Sequence, residues 1–129
     1  MITYTSLTPR ALEIVCEGHV TGADAREAFG RMERLIETAP RIDILADVRE
    51  GIHIEFGAIL EELRHLPMFR RMVGALDRIA LVADPAWVRA VGRIESHLIP
   101  GVDYRVFDRD GAAAARAWIL REGEGRASG

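Results

Sequence analysis

Two almost unbroken apolar runs, Ile42-Asp43-Ile44-Leu45-Ala46-Asp47-Val48 and Arg78-Ile79-Ala80-Leu81-Val82-Ala83, restrict this chain more than any other feature. A strand with one wet face alternates apolar and polar residues. A strand without that alternation is covered on both faces, the mark of a parallel sheet with helices above and below it. Helical spacing surrounds both runs. Ala25, Ala28, Phe29, Met32, Leu35 and Ile36 recur at helical steps behind Thr21-Gly22-Ala23-Asp24, a variant of the capping box, and Pro40 marks the stop. Phe56, Ile59, Leu60 and Leu63 share one helical face; Pro67 interrupts, and Phe69, Met72, Val73 and Leu76 repeat the spacing, as one kinked helix or two consecutive ones. Asp84-Pro85 opens a further helix whose apolar face is Trp87, Val88, Val91, Ile94 and Leu98, closed by Pro100-Gly101. Tyr104-Arg105-Val106-Phe107 is another strand, and Asp108 to Asp110 cap a last helix with Ala114, Ala117 and Trp118 facing inward.

Upstream, Ile2 and Tyr4 alternate with Thr3 and Thr5, and Leu12, Ile14 and Cys16 alternate with Glu13, Val15 and Glu17. Thr8-Pro9-Arg10 joins these runs so tightly that they form an antiparallel hairpin. Later strands, each reached through a helix, must run parallel. The expected fold is an α/β domain over residues 1–122: a mixed five-stranded sheet, N-terminal hairpin then parallel strands, with helices packed on it. Residues 123–129 are a glycine-rich tail expected to be disordered.

Composition excludes several chemistries. All 17 basic residues are arginine, so Schiff-base, pyridoxal-phosphate and P-loop lysines are impossible. A basic group that titrates near neutrality must be one of the 4 histidines. The net charge of -3 argues against blanket neutralisation of nucleic-acid phosphates. Cys16, the single cysteine, alternates onto the buried face and reads as inert packing. No apolar run reaches the ~18 residues of a spanning helix, no signal peptide is read at the N-terminus, and the expected address is the cytoplasm.

The markers of the last third are Asp84-Pro85-Ala86-Trp87, Ile99-Pro100-Gly101, Tyr104-Arg105-Val106-Phe107 and Ala117-Trp118-Ile119. With Glu17-Gly18-His19-Val20-Thr21 after the hairpin, they resemble the SpoIIAA-like family of small bacterial proteins, relatives in fold of STAS domains and of SEC14-type lipid-binding domains. The resemblance implies the same fold and no assigned activity. STAS anti-anti-sigma factors carry a phosphorylatable hydroxyl just after the third strand. Here that stretch is Asp47-Val48-Arg49-Glu50-Gly51-Ile52-His53, and no serine or threonine occurs between Thr38 and Ser96.

Glu62 and His65 have the spacing of a di-iron Glu-x-x-His element, and Glu61 and His65 that of a surface pair; the further ligands a di-iron site needs are missing. His53-Ile54-Glu55 lacks the cysteine half of a zinc deaminase site. No metal or cofactor is expected. Asp47, Asp84 and Asp108 fall at carboxyl ends of strands, where open α/β sheets bind ligands, although Asp84 and Asp108 read as helix caps. Asp47 to Glu55 reads as a loop of its own, carrying Arg49, Glu50 and His53. Met68 falls off the inward stripe, so Met68, Phe69 and Met72 are candidates for an apolar partner surface, with a homodimer expected. Three readings stay open. They are a non-enzymatic protein-interaction or ligand-binding module, a carrier of lipid or another hydrophobic molecule in a cleft under the helices of residues 56–76, and a metal-independent enzyme using Asp47, Arg49 and His53.

Overall fold

The computed structural model describes residues 1–49, 53–54, 61, 64–67, 69–86 and 101–122. Strands β1 (Ile2–Thr8) and β2 (Ala11–Cys16) form the antiparallel hairpin. Helix α1 (Gly22–Ile36) leads to β4 (Ile42–Val48), and helix α2 (Phe69–Ala75) leads to β6 (Leu76–Val82). Strand β7 (Asp103–Phe107) is followed by a 3₁₀ turn, Arg109–Gly111, and helix α3 (Ala112–Ile119). The main sheet has the order β1-β2-β4-β6-β7 and is parallel throughout except for the hairpin. This is the expected mixed five-stranded α/β sheet. The expected helix after Pro85 and the tail 123–129 fall outside the described residues beyond Ala86 and Glu122 respectively.

Local chemistry accounts for the starts of the helices. At α1 the Thr21 hydroxyl accepts from the Asp24 amide at 3.2 Å, and the Asp24 carboxylate accepts from the Thr21 amide at 3.0 Å. Those bonds hold the Asp24 carboxyl below its ordinary pKa. At the 3₁₀ turn the Asp108 carboxylate accepts from the Gly111 amide at 2.9 Å, as a cap. Two differences from the sequence reading emerge. Ala115 and Ile119 are the buried stripe of α3, while Ala114 is exposed and Trp118 only half-buried. Trp118 sits at the rim, its ring under the Arg78 and Arg105 guanidiniums at 5.0 and 4.6 Å. Within the expected loop of residues 47–55, β5 (His53–Ile54) pairs in parallel with β3 (His19–Val20), a pairing too short to leave a periodic trace.

Both sheet faces are covered at their centre. Leu12, Ile14, Ile42 and Ile44 meet Phe29 of α1 and Met72 of α2 on one face. Ala11, Leu45, Ala80 and Val82 meet Ala115 and Ile119 on the other. Successive odd residues of β4 share that second face, so Asp43 and Asp47 flank Leu45 beneath or beside α3. Asp43 is 0% exposed. Its carboxylate accepts from Arg121 and, at 3.1 Å, from the Arg78 amide. Arg10 Nε lies 3.2 Å from it without the alignment of a hydrogen bond. Arg10 and Arg121 continue to Asp77 at 2.7 and 2.8 Å. Arg121 holds this position with φ 56°, a left-handed backbone that a side chain adopts at a cost.

Two outcomes follow from this frame. Asp43→Asn removes the anion from beside Arg10 and Arg121, which are partly exposed and keep Asp77, so urea unfolding should show a loss of about 2 kcal/mol. Glu13→Gln, at the rim pair with Arg116, should lose under about 1 kcal/mol. Alkaline stability is unusually simple because no lysine titrates. Burial pushes the Cys16 thiol from 9.0 up to about 11. Burial, then the nearby Glu27, pushes the Tyr4 phenol up to about 12, and burial raises Tyr104 as well. Each folded-state group keeps its proton where the unfolded chain has lost it, so stability is complete below the unfolded pKa values and falls as pH rises above them. Thermal melts should decline from pH 9.0 towards about 11, and Cys16→Ala should flatten that first stretch.

Candidate functional site

Helix α3 covers β4, β6 and Ala11 at the start of β2, but not the rest of that strand. Glu13 and Val15 of β2 therefore remain half-buried on the same face, and a groove opens between β2 and α3. Its cavity measures about 360 Å³, with Val15, Leu45 and Val82 as apolar lining. Glu13, Asp47, Glu122, Arg49 and Arg116 supply its charge. This end of the groove is the carboxyl end of β4 and β6, the edge where open α/β sheets take ligands.

The charges are held by each other. Asp47, 8% exposed, accepts from Arg109, which also donates to the Val48 carbonyl at 3.3 Å. Arg49 Nη2 lies 3.3 Å from the other Asp47 oxygen, and its Nε lies 4.0 Å from Glu17. The Arg49 amide donates to the Cys16 carbonyl at 3.0 Å and so prolongs the β2–β4 ladder by one residue. Across the groove Arg116 donates to Glu13 at 2.9 Å. Arg49 and Arg116 keep 47% and 49% of their side-chain surface exposed, so their forks remain within reach of a solute.

Of the expected site residues, the structure joins Asp47 to Arg49. His53 lies on β5, opposite His19 of β3 in the separate two-stranded sheet, and its side chain falls outside the described atoms, as does the whole of Glu50. Met68 also lies outside the described residues. Phe69 packs against the core and Met72 is 2% exposed, so Met72 offers almost no surface to a partner. The Glu61–His65 pair is exposed at 3.0 Å, a solvated helix contact. Among the described residues no group of three or more His, Cys, Asp or Glu is placed to hold a metal ion. No described helix is long and apolar enough to cross a membrane.

Sequence reasoning missed Glu13, Arg109 and Arg116. The ion pairs that define them span 103 residues for Glu13–Arg116 and 62 for Asp47–Arg109, beyond any local pattern. One signal was available: two aspartates on the same face of a strand covered on both sides need cationic partners, and here those can only be arginine.

A protein-family model described as SpoIIAA-like matches residues 11–120 of the chain. No curated protein and no solved structure matches it.

The two arginines on Asp47 should separate by burial. Arg109→Ala uncovers a carboxylate enclosed by protein and should cost about 2 kcal/mol in urea unfolding. Arg49→Ala, at an exposed rim, should cost under about 1 kcal/mol.

Proposed function

The chain belongs to the SpoIIAA-like family, and from that membership and the groove's chemistry we propose a non-enzymatic protein-interaction module that binds through the β2–α3 groove. The supporting observation is the groove's lining: an apolar floor beside two half-exposed arginines, Arg49 and Arg116, paired to the enclosed carboxylates of Asp47 and Glu13, with no serine, threonine, cysteine or histidine among the described lining residues. An acyl-transfer or acid–base site needs a nucleophile or a titrating group at its centre. Here Asp47 and Glu13 already serve arginines, and the arginines have spare donors. A protein segment offering an apolar side chain to the half-buried Val15, and a carboxylate to Arg49, matches that lining. With no hydroxyl between Thr38 and Ser96, a phosphoryl switch after β4 has no acceptor there, which fits binding without that switch. Retention in the cytoplasm belongs to the same reading.

The carrier reading has less support, because Phe69 and Met72 are used in the core. Native mass spectrometry of freshly purified protein separates the two: a co-purifying hydrophobic small molecule would favour the carrier. For the interaction module, the Arg49→Ala, His53→Ala double variant and a Val15→Arg variant are compared with the parent in partner retention and in unfolding. Both should lose partner, with stability changed by only about 0.5 kcal/mol in the alanine pair. Retention equal to the parent's would remove the groove from consideration.

A further inference from the structure

The two edges of the main sheet are built differently. β7 carries Asp103 and Arg105, both exposed, and charged side chains on an edge discourage pairing with another chain. β1 reads Ile-Thr-Tyr-Thr-Ser-Leu-Thr, with no charge, proline or glycine, in residues of high strand preference. Such an edge is a template for a further strand.

Which groups it presents can be worked out from the ladder. Met1 and Glu17 exchange both backbone hydrogen bonds, at 2.7 and 2.9 Å. In an antiparallel pair bonded and non-bonded residues alternate, so with the observed register Thr3 and Thr5 also bond to β2. Ile2, Tyr4 and Ser6 turn their N–H and C=O groups outward. Among the described residues nothing bonds to those groups. On β2 the complementary set, from Arg10 to Cys16, bonds to β4 instead, as the contacts of Asp43 and Arg49 at its two ends show. Beyond Ser6 the register shifts, which limits regular pairing to Ile2 through Ser6, a stretch centred on Tyr4.

We infer that the β1 edge pairs with the β1 edge of a second copy, antiparallel about a two-fold axis at Tyr4, to make one continuous sheet across a homodimer. In that register Ile2 of one copy bonds to Ser6 of the other and Tyr4 to Tyr4, so every outward group from Ile2 to Ser6 is satisfied. Thr3 then stands directly opposite Thr5 of the second copy, a favourable cross-strand pair. No like charges meet along the strand. Arg31 stacks on the Tyr4 ring at 4.5 Å, with Glu27 paired to it at 3.7 Å, so each copy brings both signs of charge to the axis. A symmetric copy meets all these requirements at once, whereas an unrelated peptide would need to match them separately.

The test uses the full chain in sedimentation velocity from low to high micromolar concentration, with amide exchange followed by NMR. The parent should dimerise. The amides of Ile2, Tyr4 and Ser6 should gain protection as concentration rises, while those of Thr3 and Thr5 are protected throughout. Thr3→Lys with Thr5→Lys places like charges opposite each other twice and should weaken dimerisation by roughly tenfold or more. Thr3→Lys with Thr5→Glu places opposite charges there and should keep the dimer. Both positions are exposed, so the monomer fold should survive each change. A parent that stays monomeric, a like-charge variant that dimerises as tightly as the parent, or concentration-independent exchange at Ile2, Tyr4 and Ser6 would overturn the inference.

Discussion

Asp43 carries a carboxylate in the middle of a sheet with no water to solvate it, and much of the architecture answers to that charge. A buried ion contributes little to net stability by itself, yet removing its partners is costly. Its partners come from the hairpin turn, from the strand beside it and from the end of the last helix: Arg10, the Arg78 amide and Arg121. Arg121 tolerates a left-handed backbone to arrive there. The network therefore ties α3 to the sheet at one end, while Asp47 and Arg109 tie it at the other. Between these two clamps α3 can lie only over β4 and β6. The groove beside the hairpin is what that placement leaves open.

The exclusive use of arginine suits this arrangement. A guanidinium presents several donors in a plane and serves two acceptors at once, as Arg121 does for Asp43 and Asp77, and Arg109 for Asp47 and the Val48 carbonyl. An ammonium in the same place would concentrate its charge at one point. Arginine also stacks, which lets Trp118 sit at the rim of the sheet between Arg78 and Arg105. Arg78 also donates to the Trp118 carbonyl at 2.8 Å, so one guanidinium both stacks on the ring and holds the helix end.

The parts of this molecule governed by local physics were legible in the residues. Thr21 and Asp24 marked the start of α1, alternation marked the hairpin, and the unbroken apolar runs marked β4 and β6. Asp47 and Arg49, two residues apart at a strand end, could be nominated together for the same reason. What could not be read depends on distance in sequence. The β3–β5 pairing is two residues long, and Arg116 meets Glu13 only after the chain has folded back on itself. The phase of α3 is off by one residue: Ile119 takes the fully buried place, while Trp118 packs against the same cluster from the rim with its ring under arginines.

The clamp at Asp43 also orders events during synthesis. Residue 43 leaves the ribosome with Arg10 already available, but Arg121 follows 78 residues later. Until then the central strand carries a charge that favours water over burial, and the sheet face meant for α3 has no lid. A nascent chain that collapses early must leave that face open or trap an unpaired carboxylate. The end of α3 is thus the point in the chain at which Asp43 can be buried with its charge answered.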